Sequence, residues 1–287
     1  MTVDGWSTVA PSTTRPADDR DSWFFIVGCQ RSGTTLMRLI LECHSCIQCC
    51  DESASYNVIS GRNTPVRERP LLGLKVPCIT EQFADRSLWE RLLLPEMPND
   101  YRGQRLIFMM RDVRDTVASM MQLRLQRGSW LETSLLPSLR LKIAKDDAFR
   151  RRYASEIAKL NEARHPNLAR AAFYWRYKCE ALFHYLQEGF PALLVRYEDL
   201  TRQPQLELLR VCGFLQVPWE PGLLSHSTSD HTELKDGGHA IGETDSRRPI
   251  DTQSLNRWRA VFNDDESDEI LRFAGDTQAF MYPSGRC

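Results

Sequence analysis

The chain has 287 residues, 42% of them apolar, enough for one substantial core. Basic and acidic side chains number 37 and 38, so the net charge is −1 and no global field draws the chain to nucleic acid or an anionic membrane. It has no run of about 18 apolar residues and no basic-then-apolar leader, and its nine cysteines are an odd count set in apolar patterns; together these predict a cytoplasmic protein without a membrane span or disulfide framework.

Residues 1–21 are rich in Ser, Thr, Pro and Asp and are expected to form a flexible arm ahead of one domain over 22–287. An apolar strand over 24–28 runs into a glycine-bounded turn, Gly28 to Gly33, and a helix over 34–43 follows. Backbone N–H groups from Arg31 to Thr35 would converge on one anion, helped by the positive end of the helix dipole. The spacing nearly matches the phosphate loop of nucleotide hydrolases, but Thr34 stands where the lysine belongs and the cation is Arg31. The loop is therefore read as built for a phosphate-like group but not for ordinary ATP or GTP chemistry. Cys43, Cys46, Cys49 and Cys50, with His44 among them, have spacing reminiscent of a metal knuckle. No second pair at ligand spacing follows, and the reading is a helix end and a short strand without metal.

A strand over 47–50 delivers Asp51-Glu52, and one over 72–75 delivers Lys75 just before Val76-Pro77. In isolation the first reads as an acidic loop pair and the second as a surface lysine. A helix is expected over 80–94. The run Leu106-Ile107-Phe108-Met109-Met110 predicts a central strand over 105–110, carrying Arg111 at its carboxyl end, where open α/β sheets bind ligands. Ser119, about two turns into a helix over 112–126, faces roughly the same side as Asp112, Asp115 and Thr116. Helices over 138–162 and 167–188 leave a strand-free stretch from about 120 to 188, read as a helical insertion. A strand over 192–197, a helix over 203–213, a long Gly-rich loop over 225–250 and a helix over 265–275 complete the chain. The alternation implies an α/β fold of P-loop type, a mostly parallel sheet flanked by helices.

Arg31-Ser32-Gly33-Thr34-Thr35-Leu36 and Arg111-Asp112-x-Arg114-x4-Ser119 resemble the two cofactor loops of the sulfotransferases, which use 3′-phosphoadenosine 5′-phosphosulfate (PAPS). The stretch from Val27 to Glu52 is most similar to the tyrosylprotein-sulfotransferase branch and its bacterial relatives. Val195-Arg196-Tyr197-Glu198-Asp199-Leu200 resembles a later family segment. Arg248-Pro249-Ile250 with Asn256-Arg257-Trp258-Arg259 resembles the segment that covers the cofactor. The resemblance implies that Arg31, Ser32, Gly33, Thr34 and Thr35 hold the 5′-phosphosulfate. It implies that Arg111 and Ser119 hold the 3′-phosphate, with Tyr197 near the nucleotide and Arg248, or else Arg247, closing over it. It places Glu52 as general base and Lys75 at the leaving group. Gln30 departs from the family's usual proline, and Asp51 stands where a Glu is common.

These residues suit sulfuryl transfer, which needs Mg²⁺ less than phosphoryl transfer does, so no metal is expected. Positioning and charge stabilisation should dominate. The acceptor is expected to be a hydroxyl or amine of a small secondary metabolite, not nucleic acid or a membrane component. Asp146, Asp147, Glu156, Asp230, Asp236 and Glu243 would be compatible with a cationic, saxitoxin-like alkaloid, although surface charge explains them equally. The rival readings are a P-loop kinase or nucleotide hydrolase, and a nucleotide-binding module without turnover. If Glu52 were not the base, Asp51 and then His44 would be the next choices.

Overall fold

Five parallel strands form the centre of the molecule: β1 (Trp23–Gly28), β2 (Ile47–Cys50), β3 (Leu71–Lys75), β4 (Arg105–Met110) and, later in the chain, Ala192–Arg196. The computed structural model describes residues 22–59, 68–76, 104–125, 128–187, 189–231, 239–240 and 244–282. The expected arm over 1–21 and helix over 80–94 lie outside these residues. The strand order is β2-β3-β1-β4 and then 192–196, with every neighbouring pair parallel. All five carboxyl ends therefore share one edge. The order reverses at β1, where a crevice opens between the loops that leave β1 and β4.

The apolar continuity of β4 has a direct cause. Ile107 and Met109 point into the core on one face; Leu106, Phe108 and Met110 point into the core on the other. With both faces dry, neither set of alternate positions is free to be polar. Helix α1 (Thr34–Glu42) covers one face with Met37, Ile40 and Leu41. Arg69 Nη1 ties off the end of α1, donating to Glu42 O at 2.6 Å, His44 O at 3.1 Å and Ile47 O at 2.6 Å. These include carbonyls that a helix C-terminus leaves unpaired, and the last turn of α1 has no basic residue of its own. Helix α2 (Glu52–Ile59) and α3 (Val113–Gln122) lie on the opposite face with Val58, Val113, Val117 and Met120.

The middle of the chain differs from the sequence expectation in two ways. After Leu123 turns extended, β5 (Arg124–Leu125) and β6 (Gly128–Ser129) pair as a short antiparallel ladder in a stretch expected to lack strands. A π-helical turn, Leu131–Leu135, then leads into α4 (Leu136–Lys145). The single helix expected over 138–162 is three: α4, α5 (Asp147–Arg152) and α6 (Ala154–Leu160). Asp146 makes the first break. Its backbone is extended and its side chain accepts from Phe149 N at 2.8 Å, so it caps a new helix instead of continuing the old one. Helix α7 (Pro166–Gln187) follows and is central to the core, with Ala169, Ala171, Ala172, Phe173 and Trp175 fully buried.

After β7, the strand Ala192–Arg196, Tyr197 opens helix α8 (Tyr197–Arg202) instead of closing the strand. Helix α9 (Pro204–Leu215) and a 3₁₀ segment (Pro221–Thr228) complete the α1 face. The long loop expected over 225–250 thus begins inside a 3₁₀ segment, and it also contains a short ladder of β8 (His239–Ala240) with β9 (Thr244–Asp245). Helices α10 (Asp264–Ala274) and α11 (Asp276–Met281) end the described chain. No helix among the described residues is long and apolar enough to cross a membrane.

The cysteine run does not converge. Cys49 and Cys50 are neighbours on β2 and enter opposite cores. Among the described residues no group of three or more His, Cys, Asp and Glu is arranged to hold a metal. His44 is fully buried, with Nε2 on Pro218 O at 2.8 Å and Nδ1 accepting from Cys46 N at 3.0 Å. Both ring nitrogens are thus engaged in holding the turn, which removes His44 as an alternative base.

His226, in the 3₁₀ segment, is fully buried. Burial first and the neighbouring His231 second push its pKa down from 6.5 to about 4. As pH falls, the unfolded chain takes this proton near 6.5 and the native chain only near 4. Stability is therefore lost progressively across that window, by up to about 3 kcal/mol. Urea melts of the wild type and of His226→Gln at pH 7, 5.5 and 4 check this, and the difference in pH slope between the two should account for the loss.

Candidate active site

The loop leaving β1 is shaped by positions that a side chain cannot easily occupy. Gly28 has φ +150°, and a Cβ there would lie 2.3 Å from Met109 O. Gly33 has φ +94°, and a Cβ would lie 2.6 Å from Cδ2 of Tyr197. Arg31 takes a left-handed φ of 71° despite its side chain, which costs about 1 kcal/mol or more. Such strain is typical of loops whose backbone is set by function. Helix α1 has no side-chain cap and no acidic residue in its first turn. Its leading N–H groups and its dipole are thus left for an anion.

The loop leaving β4 is held from every side. The Arg111 guanidinium donates to Arg31 O at 3.4 Å and to Ser254 O, and lies 4.6 Å from the centre of the Tyr197 ring. The Arg111 carbonyl accepts from Nε1 of Trp175, on α7, at 3.0 Å. Next in the chain, Asp112 N donates to Glu198 Oε1 at 2.9 Å, and the other oxygen of Glu198 accepts from Tyr282 OH at 2.8 Å. Burial pushes the Glu198 carboxyl above its usual range, and burial together with Glu198 pushes the Tyr282 hydroxyl up. Gln278 closes the network, donating to Asp112 Oδ2 at 2.8 Å and accepting from Val113 N at 3.2 Å. The two loops also meet directly, since Arg31 Nε donates to Ser119 Oγ at 2.9 Å.

Between them lies a cleft of about 220 Å³. Its walls include Arg31, Gly33, Thr34, Thr35, Arg111, Ser119, Tyr197 and Arg248, all expected from the sequence. Arg248, not Arg247, is the one on the wall, but its guanidinium is already engaged. It donates through Nε to Asp251 at 2.9 Å and through Nη1 to Ser254 Oγ at 3.0 Å. The Asp251 carboxyl is held below its usual range, first by that hydrogen bond. Sequence reasoning missed Asp115, Gln122, Asp245, Asp251, Ser254 and Arg257 on the same wall. Arg257 had a readable signal: it precedes Trp258 in a segment already singled out. Trp258 is buried, whereas Arg257 is exposed and has no carboxylate partner among the described residues.

Ser32 does not line the cleft; its hydroxyl is buried without a hydrogen-bond partner, as is Nε of Arg111. Arg111 does line the cleft, and a buried guanidinium donor left unpaired there fits a polar ligand better than an empty crevice. Glu52 and Lys75 also lie off the cleft wall, but they meet each other. Lys75 Nζ is 3.0 Å from Glu52 Oε1, with Lys75 largely buried and Glu52 about one-third exposed (34%). Asp51 is separated from this role, because its Oδ1 accepts from Ala54 N at 2.7 Å and caps α2. The described members of the acidic set considered for a cationic acceptor are off the cleft wall. Asp146 pairs with Lys142 and Asp147 with Arg150, Glu156 pairs with Arg176, and Asp230 is an exposed residue off the cleft wall. Asp236 and Glu243 lie outside the described residues.

Comparison with known proteins gives a consistent result. A model described as the sulfotransferase family matches residues 24–90, and one described as the sulfotransferase domain matches residues 102–236. A Caenorhabditis briggsae sequence assigned to the protein-tyrosine sulfotransferases is 23% identical over 277 residues, covering 90% of this chain and 86% of that one. Protein-tyrosine sulfotransferase 1 of Danio rerio is 23% identical over 267 residues, covering 82% of this chain and 64% of its own length. Among solved structures, the sulfotransferase domain from the curacin biosynthetic pathway superposes with a TM-score of 0.55 at 17% identity, covering 86% of this chain and 95% of that one. Mouse sulfotransferase SULT7A1 complexed with PAP gives 0.52 at 13% identity, covering 93% and 87%. At these identities the structural likeness speaks for the fold: a mostly parallel P-loop-type sheet flanked by helices.

Trp175→Phe keeps most of the packing of α7 but removes the donor to the Arg111 carbonyl. The carbonyl is left with a long contact to Thr116 Oγ1 at 3.4 Å. Stability should fall by about 1–3 kcal/mol, the cost of leaving a buried acceptor short of its partner. Chemical denaturation of the two proteins measures it.

Proposed function

We propose that this chain, which belongs to the sulfotransferase family, transfers a sulfuryl group from PAPS to a hydroxyl or amine of a small-molecule acceptor. What supports the reading most is the Glu52–Lys75 pair, a carboxylate and a cation 3.0 Å apart, delivered by adjacent strands to the edge that also carries both anion-binding loops. A module that only held a nucleotide would have no use for it.

In this reading the β1 loop, Arg31 to Thr35, and the amides opening α1 hold the 5′-phosphosulfate. Arg111, Ser119 and Arg257 hold the 3′-phosphate, Tyr197 lies beside the nucleotide, and Arg248 closes the cleft from above with Asp251. The acceptor oxygen or nitrogen attacks sulfur in line as the bond from sulfur to the bridging oxygen breaks. Glu52 takes the acceptor's proton. Arg31 and Lys75 stabilise the charge that gathers on the bridging oxygen, and 3′-phosphoadenosine 5′-phosphate leaves. Fixed donors aimed at charge that develops only in the transition state are the largest expected contribution. Lys75 would serve both carboxylate and leaving oxygen; its ion pair with Glu52 and its place on β3, opposite Ile26 in register, support that reading. Of the acidic residues that suggested a cationic alkaloid, Asp146, Asp147 and Glu156 serve local pairs and Asp230 is off the cleft wall, so the acceptor class rests on the proposed base. The expected cytoplasmic setting, with no metal required, completes the proposal.

Calorimetry with 3′-phosphoadenosine 5′-phosphate, AMP and ADP, each with and without EDTA, tests the donor. The bisphosphate should bind far more tightly than the others and be indifferent to EDTA. Arg111→Ala should weaken it by about ten- to a hundredfold, the worth of a charge-assisted hydrogen bond. Equal affinity for AMP would overturn the reading.

Glu52→Gln preserves shape and removes the base. At saturating donor and acceptor, turnover should drop by roughly 10²–10⁴-fold while nucleotide affinity barely moves. Lys75→Ala should also slow turnover but keep the acidic limb of the pH–rate profile, which the Gln variant loses. Turnover close to wild type in Glu52→Gln would place the base elsewhere.

A further inference from the structure

Asp115 is out of place on electrostatic grounds. It is 3% exposed, yet it belongs to the wall of a cleft whose other walls carry Arg31, Arg111, Arg248 and Arg257. A carboxylate there repels the anion that the arginines attract. Its position in the first turn of α3 would favour a negative charge by itself, but that end is already capped by Asp112, which accepts from Arg114 N at 2.9 Å. Asp115 spends its oxygens elsewhere. Oδ2 accepts from Asn256 N at 2.8 Å and Oδ1 accepts from Trp258 N at 3.1 Å, more than 140 residues away in sequence.

We propose that Asp115 is the positioning residue that seats the C-terminal strap, residues 244–260, over the cleft. The backbone of the strap turns sharply where the carboxylate grips it. Asn256 takes a left-handed φ of 57° between the two bonds, opening the 3₁₀ turn Arg257–Ala260. Residue 257 lies between the two gripped amides, so the same grip that fixes Asn256 and Trp258 fixes where Arg257 begins. Trp258 adds an apolar stop: its ring is buried, with the Arg114 guanidinium 4.3 Å and the Arg259 guanidinium 4.6 Å from its centre. Arg111 takes the strap at Ser254 O, and Arg248 staples Asp251 to Ser254 upstream. A carboxylate with both oxygens on amide donors keeps its charge but has it compensated by the two N–H dipoles. The repulsion is therefore partly offset while the strap gains a charge-assisted anchor.

The anchoring can be tested apart from the donor assignment, on which only the second arm depends. Hydrogen exchange on the full-length protein without ligand should show the amides of 254–260 exchanging about ten- to a hundredfold faster in Asp115→Ala, with Asp115→Asn intermediate because it keeps one acceptor. The α3 and β4 amides should keep their protection, which a general loss of folding would not allow. Unchanged exchange at Asn256 and Trp258, or faster exchange spread evenly over the sheet, overturns the proposal. In the second arm, Asp115→Ala should raise the KM for PAPS about tenfold or more and lower kcat by a smaller factor. A loosened strap with an unchanged KM would show that the strap is anchored by Asp115 but does not hold the donor, refuting its seating role. Failure of the wild type to bind 3′-phosphoadenosine 5′-phosphate would count against the donor assignment alone, with the exchange arm still deciding the anchor.

Discussion

The side chain and carbonyl of Arg111 tie together four parts of the molecule that are remote in sequence. The guanidinium reaches the β1 loop at Arg31 O, the strap at Ser254 O and the ring of Tyr197 at the end of β7. The carbonyl is held by Trp175 from the centre of α7. A planar guanidinium with five donors can bridge several acceptors at once and still offer Nε to a ligand; a lysine ammonium cannot do this with the same geometry. The rest of the site depends on this. If the end of β4 shifts, the loops leaving β1 and β4 and the strap lose a common reference point.

The cleft also illustrates how a chain with net charge −1 gathers arginines locally. Four arginines line it against three aspartates. Each aspartate has its own work: Asp115 accepts strap amides, Asp251 accepts from Arg248, and Asp245 accepts from Arg247 N. The carboxylates are thus taken up by contacts within the protein. Interactions at this range, in a partly buried crevice, are little screened by salt.

The cleft and the Glu52–Lys75 pair sit on neighbouring strands. The cleft lies between the ends of β1 and β4, while Glu52 and Lys75 come from β2 and β3 on the other side of β1. A group transferred across the end of β1 would pass from one side to the other. This arrangement is a consequence of a parallel sheet, in which every strand end faces the same edge and a short lateral distance separates functions that are far apart in sequence.

Much of this was legible before any coordinates. Five strands with boundaries right to a residue or so followed from apolar runs, because a strand buried on both faces leaves a continuous signal. The β1 loop was legible because Gly28 and Gly33 sit where backbone and Tyr197 leave no room for a Cβ. The breaks at Asp146 and Tyr153 were not, since helical periodicity persists through them and only a cap and a distant carboxylate on α7 decide where each helix ends. Nor could the sequence tell Asp51 from Glu52: the two are adjacent and alike, and only folding makes one a helix cap and the other a partner of Lys75. The role of Asp115 was equally hidden. Its partners are backbone amides, which every residue has, so no residue type marks them. The sequence by itself determined which segments are buried and where the β1 loop needs glycine, because those depend on composition and local steric room. Only the tertiary structure decided which charges are free and which are already paired, because that depends on side-chain geometry and on contacts as distant as those of Asp115 with Asn256 and Trp258.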